Sequence, residues 1–535
     1  VEKSPKEIPF NRQLTLRGII IGAMGSAVVT ASSTYVALRL GALPWPTVFV
    51  AILSLSILRL LGHTNINEVN VTHTAMSAGG LVAGGFAFTV PAIWMLNPTA
   101  QESIWRLLSI SLCGALLGLA FTAMIRPYFI EGERLPYPMG IAASETLKAG
   151  YEGGARAGYL FGALSIAAIV TALRDQFGKI PAAIVSQTLT AKNVFFSLWI
   201  SPMAVGIGYI IGPLYMGTWF LGACVSYFFL IPVGLSYGWF LDVASAEAFK
   251  NSLGIGLVVG SGIGVLVKGV IPRAREIFAP LLRGTRGRAS GSIAVLLAAI
   301  IVLLSWVGLI PLGASILLVL CVWVTTSMAA TLTGQTGIDP MEIFGILALL
   351  AIRLVVPLDA TEAILLAAVV AIASGVAGDV LQDFKAGYLL RTDPKAQLIS
   401  EGIGVIVGAL VSVLALYTLH RAYGAMGPGT ALVAPQAYAV SAMVQGLPNP
   451  QAFAFGLAIG IILYFLGIPG MTLGIGVYLP MAISSAAGIG GLTRLLVDRF
   501  APAHSEKGTL IGSGFLGGEG VTGMILAIIK VITGG

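Results

Sequence analysis

From Ala363 to Gly375 the chain carries no charge, and immediately beyond it Asp379, Asp383 and Lys385 fall within one short segment. The apolar run reads as membrane-buried helix. A charged side chain near the bilayer centre costs about 2.5–3.5 kcal/mol on insertion scales. Charges held at that depth line a substrate or ion path, or are paired inside a helix bundle. This one segment constrains both the solvent in which the chain folds and the place where its chemistry belongs.

The rest of the chain agrees with a membrane setting. Of its 535 residues 57% are hydrophobic and 10% are charged, against about 25% charged in a soluble domain. At roughly 20 residues per span plus short loops, an all-α polytopic membrane protein of about fourteen to sixteen transmembrane segments is expected, some of them broken or re-entrant. No large soluble domain fits between them. The 68 glycines suit helices that pack closely or are interrupted.

The net charge of +7 does not signal nucleic acid, because the basic residues sit in short loops. Lys3, Lys6, Arg12 and Arg17 precede the first span. Lys268, Arg273, Arg275, Arg283, Arg286 and Arg288 form one long basic loop. The positive-inside bias places both on the cytoplasmic side, so an even number of spans is expected in the first half and both termini are cytoplasmic. The first apolar run, Gly18 to Leu40, is too long for a cleavable signal and lacks a cleavage site. Cys113, Cys224 and Cys321 stand singly in apolar stretches, so no disulfide, metal site or cofactor is expected.

The two halves resemble each other in order. Ser201-Pro202-Met203 through Tyr209 matches Ile468-Pro469-Gly470-Met471 through Tyr478, and Leu135 to Ser144 parallels Leu432 to Ser441. Gly256 to Gly262 parallels Gly514 to Gly520. The series predicts a duplication near residue 280: repeats 1–280 and 281–535, head to tail in the same orientation. Repeats of this kind occur in secondary transporters, with the substrate site near the midplane.

Asp379 and Asp383, four apart, share a helix face if the helix continues. Lys385 would neutralise one of them after a break near Gly387; a static ion pair is the competing reading. Glu519, between Gly518 and Gly520, would sit on unwound backbone and meet a cationic ligand or a cation; structural pairing with a basic residue elsewhere is the competing reading. Glu68, with Asn67, Asn70 and His73, supplies polar groups to a small-residue helix, where Glu68 also suits a helix start. The Leu135-Pro136-Tyr137-Pro138-Met139-Gly140 segment reads as a break lining a cavity, and Tyr137 and Tyr388 offer hydroxyl and ring contacts. The Gly256, Gly260 and Gly264 stripe reads as close helix packing. No Gly-rich run has the strand-turn-helix setting of a nucleotide site, so ATP-driven transport by this chain is not expected.

These residues resemble the oligopeptide transporter (OPT) family, with its yellow stripe-like metal-chelate branch. The resemblance runs through Asn67-Glu68 with Ser77-Ala78-Gly79-Gly80, Phe88 to Ala92, Glu133 to Gly140, Leu381 to Leu389, and Gly517-Gly518-Glu519. Met139 and Ile141 depart from the family pattern. The resemblance implies proton-driven uptake of short peptides or peptide-like metal chelates. It is similar to the shorter prokaryotic members, without long extramembrane loops, and implies the cytoplasmic membrane. Expected coupling or substrate-binding residues are Asp379, Asp383, Lys385, Glu519, Glu68, Asn67, His73, Tyr137, Pro138 and Tyr388. Protons, a small peptide-like substrate and the lipid bilayer are the expected partners, and small-residue faces permit a homodimer. A passive channel, or an intramembrane enzyme acting on lipid or peptide, is the alternative. If Ser374 aligns with Ser77, the first-half counterparts of Asp379, Asp383 and Lys385 are Val82, Phe86 and Phe88, so coupling is expected in the second half.

Overall fold

Nine described helices are long and apolar enough to cross a membrane, or ten if Pro435–Gln445 and Pro450–Phe465 form one broken span. The chain is an all-α polytopic membrane protein. Its described strands are one short antiparallel pair, Ala183–Val185 with Ser197–Trp199. Composition leads to an expectation of fourteen to sixteen segments with short and broken helices counted; among the described residues nine or ten are long and apolar enough to span. The computed structural model describes residues 8–41, 47–152, 155–191, 193–265, 267–268, 271–273, 288–336, 339, 341–445 and 449–533. Lys3, Lys6, Arg275, Arg283, Arg286 and the repeat boundary near residue 280 lie outside them.

In chain order the helices used below are α1 (Leu16–Leu40), α2 (Ile66–Ala87), α3 (Ile104–Arg126), α4 (Pro138–Glu152), α5 (Ala155–Thr171) and α6 (Pro202–Ile211). Then come α7 (Pro213–Cys224), α8 (Val243–Val265), α9 (Leu312–Thr336), α10 (Met341–Arg353), α11 (Ala360–Leu390) and α12 (Pro394–Tyr423). The last are α13 (Pro435–Gln445), α14 (Pro450–Phe465), α15 (Gly470–Tyr478), α16 (Met481–Phe500) and α17 (Ser505–Thr533). They fall into two compact units, and each unit takes segments from both sequence halves. The first is Val1–Leu38, Trp45–Gly158 and Ala274–Ala425; the second is Arg39–Pro44, Tyr159–Arg273 and Met426–Gly535.

The first unit is built around α11. Its start is fixed by a capping box, in which Asp359 accepts from the Glu362 amide and Glu362 accepts from the Asp359 amide. It ends where Arg391 turns left-handed at φ 59°. The 31-residue helix is about 46 Å long, and its apolar window is wholly buried. Burial on every side needs neighbours without side chains at the contacts. Four neighbours supply glycines there: Gly85 of α2, Gly114 and Gly118 of α3, Gly140 of α4 and Gly345 of α10 all face α11. A methyl group at Gly118 would stand 2.6 Å from the Ala373 carbonyl oxygen, and one at Gly345 2.7 Å from that of Ala367. No carbon atom tolerates that approach.

Contacts along α2 fix helix direction. Asn67 reaches the Arg391 carbonyl, Ser77 meets Asp383, and Gly85 meets Ile372, so α2 and α11 run antiparallel. Ser400 bonds the Val71 carbonyl and Gly404 abuts that of Ala75, so α2 and α12 run parallel. An alignment of Ser77 with Ser374 therefore relates two helices of opposite direction. That differs, at this pair, from repeats sharing one orientation; loop charge reports the side of a loop and not the sense of each packed helix.

In the second unit the Gly256–Gly260–Gly264 stripe packs as expected. Gly256 and Gly260 of α8 meet the Phe453 and Leu457 carbonyls of α14, while Gly456 and Gly460 of α14 meet the Leu253 and Leu257 carbonyls of α8. The two backbones touch along two turns. Gly260→Ala is expected to destabilise the protein by about 1–3 kcal/mol through overpacking. Gly217→Ala, in α7 with open space at its Cβ, is expected to be neutral or slightly stabilising. Melting temperatures of the two variants in detergent check the contrast, and equal values would refute it.

Candidate functional site

The charged segment lies on the C-terminal half of α11, and the helix continues through it to Leu390. Asp379 and Asp383 therefore share a face, as their spacing requires. Lys385 does not neutralise either. Two residues along an unbroken helix is more than half a turn, so its ammonium points away and donates to the Leu135 carbonyl at 2.9 Å. No break occurs at Gly387, which gives room to the Gln397 side chain. Tyr388, 42% exposed, lies under the Lys385 ammonium at 6.0 Å.

Asp383 has no solvent exposure and is met from two other helices. Ser77 of α2 donates its hydroxyl to Asp383 Oδ2. His73, one turn earlier on α2 and equally buried, holds Nε2 3.8 Å from Oδ1, too far for a hydrogen bond. From α12, Gln397 donates to the Asp383 main-chain carbonyl at 3.0 Å. Glu401, one turn further and with no exposure, brings its carboxyl within hydrogen-bond reach of the Asp383 carboxyl. Two carboxyl groups share a hydrogen bond only when one carries a proton. Without it, Asp383 Oδ1 and both Glu401 oxygens have no hydrogen-bond donor among the described residues.

Asp379 faces a second set. Gln382 donates to its Oδ1 at 3.1 Å, while Gln382 Oε1 accepts the Met139 amide at 3.0 Å. That amide is one of the unpaired donors at the start of α4, where Pro138 occupies the first position and has no N–H to lose. Gln382 thus ties the carboxyl on α11 to the mouth of the Leu135–Gly140 break. Tyr137 is strained at φ 46° and fully buried. It is pinned by its amide to the Gly334 carbonyl at 2.8 Å and by its hydroxyl to that of Ala330 at 3.0 Å. Asp339, just before α10, crowds Gly378 and lies close enough to Asp379 for the two charges to repel.

The structure brings Asp379, Asp383 and His73 together and gives other expected residues different partners. Asn67 donates to the Arg391 carbonyl at the end of α11. Glu68 is saturated: Arg17 reaches it at 2.7 Å, and Thr15 and Thr64 donate to it as well. Its position in the first turn of α2, behind the Asn65 cap, makes it a helix-start charge.

Glu519 belongs to the second unit. There α17 runs unbroken past it, and the flanking glycines serve packing: Gly514 and Gly518 abut the Leu160 and Leu164 carbonyls of α5. Arg174 pairs with Glu519 at 2.9 Å, both without side-chain exposure. Ser201 and the Met203 amide each donate to Glu519 at 2.9 Å. This carboxylate already has its cation.

Glu401, Gln397 and Asp339 were not anticipated. Gln397 and Glu401 stand four apart at the start of a span that carries no charge from Gly402 to Leu419, and that i, i+4 pair is the signal that marks them. Among the described residues no group of three or more His, Cys, Asp or Glu is placed to hold a metal ion. Replacing Arg174 with Gln leaves a buried carboxylate unpaired and is expected to cost about 3–5 kcal/mol. Adding Glu519→Gln should recover part of that loss. Denaturant unfolding of the single and double variants in detergent measures it, and no recovery would refute the pairing.

Comparison with known proteins meets this geometry from the other side. The OPT oligopeptide transporter protein family matches residues 13–278 and 288–530. A Haemophilus influenzae protein named for oligopeptide transport is 26% identical, over 94% of this chain and 93% of its own length. A probable metal-nicotianamine transporter of Arabidopsis thaliana is 28% identical over 29% of this chain and 25% of its own. A metal-nicotianamine transporter of the same plant is 26% identical over 29% and 27%. The chain belongs to the OPT oligopeptide transporter family and is an integral membrane transport protein, not an enzyme.

Proposed function

We propose that the protein is a proton-coupled symporter that takes up short peptides or peptide-like metal chelates by alternating access, with Asp383 and Glu401 as its proton-carrying pair. The observation that carries the reading is the meeting of these two unexposed carboxyls on different helices. A shared proton is the smallest charge that satisfies both. Release of that proton would leave two carboxylates in a dry site, where their repulsion is strong. Protonation and the separation of α11 from α12 are thereby linked. His73 stands beside the pair as a relay, since imidazole exchanges protons in the physiological range.

Asp379, with Gln382 as its link, couples the same helix to the Leu135–Gly140 break, where Tyr137, Pro138 and Lys385 meet. Lys385 and Tyr388 suit the carboxylate and the side chain of a peptide-like ligand. The substrate class itself rests on the relatives, one named for oligopeptides and others for metal-nicotianamine. A cytoplasmic-membrane location with both termini inside, a duplication into 1–280 and 281–535, and a homodimer through small-residue faces belong to this proposal. The ordered sequence matches support the duplication.

In proteoliposomes, uptake of a transported peptide or chelate is expected to follow an imposed pH gradient, acid on the entry side. One proton per substrate and a gradient of about one pH unit allow about tenfold accumulation. Uptake that follows sodium and ignores the proton gradient would overturn the coupling ion. Asp383→Asn is expected to abolish uphill accumulation and to leave substrate exchange between equal concentrations measurable. Full gradient-driven uptake by that variant would remove Asp383 from the coupling role. Glu401→Gln is expected to flatten the pH dependence in the same way, and an unchanged pH profile would remove Glu401.

A further inference from the structure

The second unit carries a cleft of about 440 Å³ that the transport reading does not use. It lies among α5, α6, α16 and α17, beside the short turn Pro502–His504 that joins α16 to α17. Small residues open it: Gly206 and Gly512 bring α6 and α17 into backbone contact, and Gly508 makes room for the Tyr209 hydroxyl.

The lining is ordered by depth. Lys507, Ile511 and Phe515 all face the cleft and are four residues apart, so they form one stripe down α17. Each step descends about 6 Å. His504 and Lys507, both exposed, stand at the turn; Val205, Val497, Ile511 and Phe515 line the walls beneath them. Tyr159, which is exposed, sits at the mouth, where amphipathic rings mark a membrane–water boundary, and the buried Tyr209 lines the wall.

The charges at the mouth are unequal in availability. Asp498 is engaged: Arg494 binds it at 2.7 Å and Ser505 donates to it at 2.8 Å. That arginine lies against the Tyr209 ring at 5.4 Å. Glu506, next to Lys507, has a partner of its own. The Lys507 ammonium lies 5.6 Å from the Tyr159 ring centroid and makes no ion pair with a described residue. A free cation at the interface above an apolar channel is complementary to one kind of molecule, an amphiphile with an anionic head. Basic pockets between transmembrane helices bind anionic headgroups by this logic.

We propose that the cleft is a binding site for an anionic phospholipid. The phosphodiester lies beside Lys507 and His504, and one acyl chain runs down past Ile511 to Phe515. The apolar walls give a lipid an advantage over a free phosphate that shares only the head chemistry.

The test is native mass spectrometry of the full chain in detergent, titrated with phosphatidylglycerol, phosphatidylcholine or glycerol phosphate. Phosphatidylglycerol is expected to be retained well above phosphatidylcholine, and glycerol phosphate not to be retained. Lys507→Gln should lower phosphatidylglycerol retention about fivefold, the loss of one cation beside an anionic head. Lys507→Arg should restore it, and Lys530→Gln at the other end of α17 should leave it unchanged. Equal retention of the two lipids would overturn the proposal, as would glycerol phosphate binding as well as the lipid, or a Lys507→Gln variant with undiminished retention. Because transport plays no part in the readout, the outcome is independent of the coupling mechanism.

Discussion

The first unit depends on one constraint, that α11 is buried on every side from Ala363 to Gly387. A helix can be surrounded so closely only if its neighbours yield their side chains at the contacts, and here they do. Gly85, Gly114, Gly118, Gly140 and Gly345 come from four helices and all press on one. In lipid there is little hydrophobic gain in joining two apolar helices, so packing and hydrogen bonds must hold them. The glycines let dispersion contacts form along the backbone itself. One of them, Gly140, packs on α11 at Gln382 and Lys385, beside the charges carried there.

Dryness decides what the carboxyls can be. The protein buries carboxyl groups in two different ways. Glu519 is given an arginine and two further donors, an arrangement complete in itself, which moves only if a strong pair is broken. Asp383 and Glu401 are given each other. That arrangement is satisfied only when one of the two carboxyls holds a proton. The first is a fastening; the second suits a step in a cycle. Sequence position alone puts both in glycine-rich, apolar helices and makes them look alike.

What could be read from the sequence followed from local rules. The membrane setting, the helical class and the shared face of Asp379 and Asp383 all follow from composition and from the 3.6-residue turn. The Gly256 stripe was legible because small residues four apart have one common use. Errors came where a local rule was asked to name a distant partner. Lys385 is close to Asp383 in sequence and turned away from it in space. The glycines around Glu519 and at Gly387 permit unwinding, yet in the fold they admit the α5 backbone and the Gln397 side chain. Glu401 stands 18 residues beyond Asp383 on the next helix, and only the return of α12 along α2 makes the two neighbours.

The apparent counterparts on α2 sharpen the point. With Ser77 set against Ser374, the positions matching Asp379, Asp383 and Lys385 hold Val82, Phe86 and Phe88, which are all buried. Apolar side chains therefore satisfy the packing of such positions. Nothing in helix–helix contact calls for an acid there, and burying one is costly unless it is paired or protonated. The carboxyls of α11 are thus not explained by the scaffold that holds them. Under the proposed symport their cost would be offset by what they exchange, and the Asp383–Glu401 contact would suit a species small enough to sit between two hydrogen-bonded oxygens.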